Sequence, residues 1–241
     1  MNLITCKTPE EAAQAAAQFV IDRINAKPNA VLGLPTGGTP LGMYAELAKA
    51  VREKRVDMGA ITTFNLDEYC GLPASDPQSY FTFMNTNFYV PCGVAPAQTH
   101  IPNGGAPDPD AEARAYDTAI RAAGGIDLQV LGIGHNGHIG FNEPGTPPDA
   151  RTHAVLLTEK TRHANARFFN TIDDVPTRAI TMGIGTILEA REILLLANGA
   201  DKAEILAAAL QGPRTPDNPA SFLQTHPRLT VIADATATGK L

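Results

Sequence analysis

The sequence predicts one α/β domain over residues 1–241, built on a single doubly wound, mostly parallel sheet with helices on both faces. Short β-rich runs alternate with alanine-rich helical runs along the chain, which is typical of this class. Runs such as LQVLGIG are apolar almost throughout, as expected for parallel strands buried on both faces. The helical runs are long enough for the crossovers that parallel strands require.

Seven runs have the composition of strands: residues 30–35, 61–67, 127–134, 154–158, 179–185, 192–199 and 230–234. Four runs with proline or acidic starts and glycine stops have helical spacing: residues 9–26, 40–54, 109–124 and 201–212. The proline-rich stretch 140–152 predicts a loop. Because that loop is bounded by prolines and the stretch carries both Glu143 and Arg167, we expect residues 140–170 to form an active-site lid.

Charge and cysteine content exclude several classes of partner. The formal net charge of -6 is spread along the chain and no run of Lys or Arg occurs, so neither nucleic acid nor a membrane is an expected partner. The N-terminus lacks a signal-peptide pattern, and no apolar stretch is long enough to cross a membrane. The three cysteines form no CxxC pair, which disfavours a disulfide framework or a zinc site and predicts a cytoplasmic protein.

The first candidate site follows the strand at residues 30–35. Gly37 and Gly38 allow close backbone approach to an anion, Thr36 and Thr39 add hydroxyl groups, and a helix begins directly afterwards. The segment lacks the Gly-Lys-Ser/Thr ending of a nucleotide P-loop, so a monophosphate is the expected ligand. The alternative is a plain strand-to-helix turn in which Thr39 caps the helix.

The second candidate is Asp67, which follows a strand-like run without an intervening polar loop. Partial burial there would raise the proton affinity of its carboxylate and suit it to removing a proton next to a carbonyl. The alternative is an Asp-Glu pair that caps a helix or lies in a solvated turn.

The third candidate is the segment at residues 127–145, which is rich in glycine after its strand-like start. It contains GxGxxG, but it runs into a proline-rich loop instead of a helix, which weakens a dinucleotide-site interpretation. His138 and Glu143 can form a histidine and carboxylate pair for proton transfer, with Asn136 as a hydrogen-bonding partner. A metal shared by His135 and His138 is disfavoured because no third ligand has a recognisable spacing. Histidines that merely bond loop carbonyls are the remaining alternative.

Arg167 and Lys202 are two further cations that could complete an anion site. Lys202 follows the strand-like run at residues 192–199, whereas Arg167 lies in HANARFFN. For isolated long cations a solvated surface position is the more common outcome.

Five segments together resemble the glucosamine-6-phosphate deaminase family, in the same order and at comparable spacing. They are LGLPTGGTPLGMY, TTFNLDEYCGL, SYFTFMNTNFY, LGIGHNGHIGFNEPGT and TRHANARFF. The combination of FNLDEY with NGHIGFNEP is specific to that family. The resemblance implies a Rossmann-like fold of the sugar-phosphate isomerase type, no cofactor and no metal, an aminosugar phosphate as ligand, and hydrolytic conversion of glucosamine 6-phosphate to fructose 6-phosphate and ammonium.

The resemblance also assigns roles. Asp67 takes the position of the general base, His138 that of the ring-opening residue, and Glu143 that of its acidic partner. The positions that hold the phosphate are occupied by Gly37, Gly38, Thr39, Arg167 and Lys202.

This chain departs from the longer bacterial enzymes at two places. Asn136 stands where many of them carry Asp, so one carboxylate of the relay is missing and the pH dependence should differ. The matching stretch after the FNEP loop reads RTHAVLL, which predicts no activation by N-acetylglucosamine 6-phosphate. A monomer or small homo-oligomer is expected. Two other functions remain open: a 6-phosphogluconolactonase-type hydrolase, although that family has DGHTASLFP where this chain has NGHIGFNEP, and a non-catalytic sugar-phosphate sensor.

Overall fold

A computed structural model describes residues 1–166, 169 and 171–241 of the chain. Its main sheet is entirely parallel within the described residues and confirms the predicted fold class. The strands are, in spatial order, β1 (Asn2–Cys6), β10 (Leu229–Asp234), β9 (Glu192–Ala197), β6 (Leu128–Gly132), β2 (Val31–Leu34), β3 (Thr62–Asn65) and β5 (Thr99–His100).

Helices cover both faces of this sheet, as predicted. They are α1 (Pro9–Ala26), α2 (Leu41–Arg52), α3 (Tyr80–Met84), α4 (Val90–Cys92), α5 (Pro109–Ala122), α6 (Glu159–Asn165), α7 (Ile184–Leu188) and α8 (Ala203–Gln211). A π-helical turn (Asn85–Tyr89) joins α3 to α4. In β9, Leu194 packs with the core under α1 and α2, whereas Ile193 and Leu195 pack with the core under α5, α7 and α8. Alternate residues of one strand therefore fill two cores.

The structure also contains a second, antiparallel sheet that the single-sheet prediction did not include. It consists of β4 (Asp67–Tyr69), β8 (Arg178–Thr181) and β7 (His153–Leu156), in that order. The runs at residues 154–158 and 179–185 do contain strands, but these strands pair with each other and with β4. An isolated apolar run does not specify its partner strand, so pairing could not be inferred from the run alone.

Several elements were not anticipated. The strand β1 is short, lies at the edge of the sheet and is partly exposed, so it carries little apolar pattern. The segment 80–92 is helical, and the run at residues 179–185 leads into α7. The described part of the chain has no helix that is both long and apolar enough to cross a membrane.

The carboxyl ends of the parallel strands position the site. The turn after β2, the start of β4 after β3, the loop after β6 and the turn after β9 all reach this edge of the sheet. This is the edge at which open parallel sheets bind ligands. The predicted loop at residues 140–152 contains no strand or helix in the structure.

Candidate active site

A cavity of about 280 Å³ opens at this edge, between the main sheet and the smaller one. Its volume suits a small metabolite. It is lined by Pro35, Thr36, Gly37, Gly38, Thr39, Leu66, Asp67, Tyr80, Gly132, Ile133, Gly134, His135, His138, Gly140, Phe141, Thr161 and Lys202. The cavity therefore brings together residues from all three candidate sites identified in the sequence, and Lys202 with them.

One part of the cavity has the features of an anion site. Gly37 adopts φ +91°, a left-handed conformation that glycine adopts readily, and a Cβ at Gly38 would meet no atom within 4 Å. Helix α2 begins at Leu41, with Pro40 as N-cap and no side-chain cap. The Thr39 hydroxyl therefore does not cap the helix, contrary to the alternative drawn from the sequence, and the helix begins one residue later than predicted.

Lys202 lines the same cavity, and its side chain is only 13% exposed. The surface position that is usual for an isolated lysine therefore does not apply here. Burial lowers the pKa of its ammonium group, while the Asp201 carboxylate, 3.8 Å from Nζ, acts in the opposite direction. The carboxylate of Asp201 also bonds His135 Nε2 at 2.7 Å. Arg167, the other predicted cation, lies outside the described residues.

Asp67 and Glu68 follow each other in β4, yet their carboxyl groups have different surroundings. Asp67 lines the cavity, is buried, and has no hydrogen-bond donor among the described side chains and backbone groups. Burial, aided by the negative charge of Glu68, raises the pKa of Asp67 to about 8. The predicted burial of Asp67 is observed, and Asp67 lies in a strand, so it neither caps a helix nor occupies a solvated turn. Its role as a base stays a prediction.

Glu68 is held by backbone groups. It accepts hydrogen bonds from the N–H groups of Tyr69 at 2.8 Å, Tyr80 at 2.9 Å and Phe81 at 2.9 Å. The last two belong to the first turn of α3, where N–H groups have no partner within the helix. Burial raises the pKa of Glu68, and these three hydrogen bonds oppose the effect. Glu68 therefore serves the fold by joining β4 to α3.

His138 and Glu143 lie on the loop after β6 and are connected through Asn136. The Asn136 amide donates to Glu143 Oε2 at 2.6 Å, and Asn136 Oδ1 lies 2.6 Å from His138 Nδ1. His138 Nδ1 and Glu143 Oε2 are 3.9 Å apart, too far for a direct hydrogen bond. The predicted pair is therefore a three-residue relay in which Asn136 is the middle member.

Close packing holds His138 in place. A Cβ atom at Gly134 would lie 2.1 Å from His138 Cε1, so this position accepts only glycine while the ring stays where it is. The FNEP segment is held by Asn142, whose buried amide donates to the carbonyls of Ile139 at 2.7 Å and Met182 at 2.8 Å. These contacts attach the loop after β6 to the end of β8.

Two residues of the cavity were missed by sequence reasoning. Thr161, on α6, lines the cavity and donates a hydrogen bond to Glu143 Oε1. Tyr80 is partly buried and lines the cavity with Asp67, and burial raises the pKa of its phenol well above the ordinary value. Tyr80 stands in the segment SYFTFMNTNFY that carries the resemblance, which was the available signal. Thr161 is the first residue of TRHANARFF, another of those segments, but its hydrogen bond to Glu143 joins positions 18 apart and no local pattern indicates it.

The histidines do not form a metal site with other described residues. His135 bonds Asp201 and His138 bonds Asn136, and no three His, Cys, Asp or Glu side chains converge among residues 1–166, 169 and 171–241. The three cysteines, Cys6, Cys70 and Cys92, are free thiols.

The fold and the cavity define the class of protein: an α/β enzyme whose site combines a glycine-rich turn before a helix, a buried carboxyl group and a histidine connected through an amide to a carboxylate. The model of the glucosamine-6-phosphate isomerase/6-phosphogluconolactonase family matches residues 7–232. The chain belongs to this family.

Relatives and solved structures separate the two branches of the family. The chain is 49% identical over 239 residues to a glucosamine-6-phosphate deaminase of Bacillus velezensis, covering 99% of each chain. It is 49% identical to glucosamine-6-phosphate deaminase 1 of Bacillus subtilis, covering 98% of each. A structure of a monomeric glucosamine-6-phosphate deaminase superposes with a TM-score of 0.97 at 48% identity, covering 100% of both chains. The 6-phosphogluconolactonase of Trypanosoma brucei reaches 0.77 at 20% identity, covering 100% of this chain and 98% of that one, which shows a shared fold alone.

Proposed function

We propose that the chain converts glucosamine 6-phosphate and water to fructose 6-phosphate and ammonium. The observation that carries this proposal is the cavity that holds a buried carboxylate of raised pKa, a histidine relay and an anion-binding turn. Isomerisation of an aminosugar phosphate requires a base at C2, a group that transfers a proton to the ring oxygen, and groups that bind the phosphate. The near-50% identity to deaminases supports the same substrate.

The phosphate would bind at the turn after β2. Backbone N–H groups at Gly37, Gly38 and Thr39 and the positive end of α2 attract a dianion, and Lys202 adds a partly buried positive charge. Because the phosphate is remote from C1 and C2, its binding energy orients the sugar without taking part in bond changes. Arg167 is proposed as a further phosphate ligand on the resemblance alone.

His138 would open the pyranose ring. A carboxylate only accepts hydrogen bonds, so the Asn136 amide must donate to Glu143 and Asn136 Oδ1 must face His138. The proton of a neutral His138 then lies on Nδ1, so Nε2 carries the lone pair that takes part in proton transfer. This nitrogen takes the proton of the C1 hydroxyl and returns a proton to the ring oxygen as the C1–O bond to the ring breaks.

Asp67 would then carry out the isomerisation. Its carboxylate removes the proton from C2 of the open-chain aldehyde while the C1 carbonyl oxygen takes up a proton from solvent, and an enolamine forms. Transfer of the proton from Asp67 to C1 gives the iminium ion at C2, which water hydrolyses to the ketone and ammonium. A base with a pKa of about 8 is well matched to proton transfer near neutral pH.

The test is release of ammonium and fructose 6-phosphate from glucosamine 6-phosphate by the purified protein in metal-free buffer. Equal amounts of both products are expected, and Asp67→Asn should lower kcat about 10³-fold because it removes the base. Asp22→Asn, the same chemical change on the exposed surface of α1, should leave kcat unchanged.

Other outcomes would point elsewhere. Binding of the sugar phosphate without either product would favour a sugar-phosphate sensor. Hydrolysis of 6-phosphogluconolactone in place of deamination would favour the other branch of the family. Failure to bind the sugar phosphate would reject the proposal.

We also propose a monomer in the cytoplasm. The structure at 48% identity is that of a monomeric deaminase, and free thiols suit a reducing compartment. Light scattering of the protein as it elutes from a size-exclusion column tests the monomeric state, since a dimer would have twice the mass. Insensitivity to N-acetylglucosamine 6-phosphate stays a prediction.

The lid at residues 140–170 stays a prediction too, and the structure limits which part of it can move. Asn142 is bonded to the end of β8, Gly145 N–H donates to the Pro216 carbonyl at 2.9 Å, and Thr152 N–H donates to the Thr186 hydroxyl at 3.1 Å. Any closure would therefore involve the chain after β7. Protease protection of that stretch by a substrate analogue tests this.

A further inference from the structure

We propose that Thr161 is a positioning residue for Glu143, so that the first turn of helix α6 forms the outer end of the His138 relay. This inference rests on the proposed function, because it gives α6 a part in ring opening. Thr161 lines the cavity and lies 18 positions after Glu143 in the chain. Its hydroxyl donates a hydrogen bond to Glu143 Oε1.

Both oxygens of Glu143 are held by side-chain donors from different elements. Asn136, on the loop after β6, donates to Oε2 at 2.6 Å, and Thr161, on α6, donates to Oε1. The Glu143 side chain is only 12% exposed, so water does not readily replace either donor. The orientation of this carboxylate therefore depends on two separate segments.

The N-cap of α6 extends the chain of hydrogen bonds. Thr158 accepts from the Thr161 backbone N–H at 3.1 Å, and its hydroxyl donates to the Thr161 hydroxyl at 3.0 Å. Because a carboxylate cannot donate, the Thr161 hydroxyl must donate to Glu143 and accept from Thr158. The direction of every hydrogen bond from Thr158 to His138 is thereby determined.

Loss of the Thr161 hydroxyl would release one oxygen of Glu143. The carboxylate could then turn toward His138 Nδ1, which lies 3.9 Å from Oε2 and is now bonded to Asn136. Glu143 would compete with Asn136 for the imidazole, and the ring would lose its single orientation. We expect this to reduce kcat about tenfold and to alter its pH profile, because hydrogen bonds to a charged, poorly solvated group are strong.

Thr161 also lines the cavity, so a direct contact with substrate is the competing explanation. A double-mutant cycle separates the two. If Thr161 acts through Glu143, its hydroxyl should have no effect on kcat once Glu143 is absent. A direct contact with substrate would give effects on kcat/KM that multiply.

The experiment compares Thr161→Val, Thr161→Ser, Glu143→Ala and the Val/Ala double variant. Thr161→Val should lower kcat about tenfold with KM within about twofold, and Thr161→Ser should recover most of the loss because it keeps the hydroxyl. In the Glu143→Ala background, Thr161→Val should change kcat less than twofold. Thr118→Val, on the exposed face of α5, controls for the effect of valine in a helix.

Three outcomes would overturn the proposal. They are effects that multiply in the double-mutant cycle, a kcat of Thr161→Ser as low as that of Thr161→Val, and a change confined to KM. A second readout needs no turnover: ¹⁵N-histidine NMR spectra of the wild-type protein should show His138 protonated at Nδ1, and Thr161→Val should change this signal. If the wild type makes no ammonium but the signal responds, the proposed function fails while the positioning role of Thr161 stands. If the wild type is active but the signal does not change, the positioning role fails while the proposed function stands.

Discussion

The two walls of the cavity that carry Asp67 and His138 are built in opposite ways. On the wall formed by β4, the Asp67 carboxyl is buried with no donor among the described residues, and burial raises its pKa to about 8. On the wall formed by the loop after β6, His138 is bonded to Asn136 and Asn136 to Glu143. Desolvation therefore sets the pKa of Asp67, whereas a hydrogen-bonded relay orients the His138 ring.

The difference matches the task proposed for each group. A base that removes a proton from carbon needs high proton affinity, which burial supplies without a partner. A group that transfers protons between two oxygens needs a defined nitrogen lone pair, which a relay supplies by choosing the tautomer. Glu68, the residue next to Asp67, accepts hydrogen bonds from three backbone N–H groups and has a structural role instead.

Apart from Asp67→Asn, the largest effect should come from breaking the geometry of the relay wall. Gly134→Ala would place a Cβ atom 2.1–2.3 Å from three atoms of the His138 ring and displace it, so we expect kcat to fall about 100-fold. Gly132→Ala, two residues earlier, would meet nothing closer than Thr39 Cβ at 4.0 Å and should cost far less. Steady-state kinetics on both variants, with circular dichroism to check folding, measures the difference. Equal losses would contradict a role for the packing of Gly134 against His138.

A smaller effect is expected at the proposed phosphate-binding end of the cavity, which belongs to neither wall. Lys202→Met keeps the buried stem and removes the charge, so KM for the sugar phosphate should rise about 10–100-fold while kcat changes little. Lys49→Met on α2, where the side chain is 52% exposed, is the matched control and should leave KM unchanged. A fall in kcat at constant KM would place Lys202 at the reacting atoms instead.

The smallest expected effect is the pH dependence of the desolvated wall. Because Asp67 must be ionised to act, kcat/KM should be about tenfold lower at pH 7 than at pH 9. The same raised pKa affects stability: between about pH 4 and pH 8 the folded protein binds a proton at Asp67 that the unfolded chain has lost. Stability should therefore fall with rising pH in this window, by at most about 1.4 kcal/mol per pH unit from this group.

Asp67→Asn lacks this proton-binding site and provides the control. Its free energy of unfolding, measured with denaturant from pH 5 to pH 8, should increase relative to the wild type as pH rises. A constant difference between the two proteins would show that the Asp67 pKa is not raised in the folded state, and the contrast between the two walls would lose its physical basis.

Much of the site was predictable because its residues directly follow strands. Gly37, Gly38 and Thr39 follow β2, His138 follows β6, and all line the cavity. Parallel strands end at the same edge, so position after a strand implies proximity in space. The burial of Asp67 was anticipated for the same reason.

Contacts between distant segments were not predictable. Two of the three donors to Glu68 come from Tyr80 and Phe81, and the second donor to Glu143 is Thr161, all more than ten positions away. The expectation of a direct His138 and Glu143 pair was also incomplete, since a spacing of five residues does not tell which side chain lies between them.

The amino-acid sequence by itself determined the alternation of strands and helices, the parallel main sheet and the loops that carry the chemistry, because hydrophobic periodicity and turn residues act locally. Only the tertiary structure decided that β4, β8 and β7 form a separate antiparallel sheet, that Asp67 is desolvated while Glu68 is hydrogen-bonded, and that α6 reaches the relay. Strand partners, desolvation and long-range hydrogen bonds depend on which surfaces meet when the chain packs, and no local pattern contains that information.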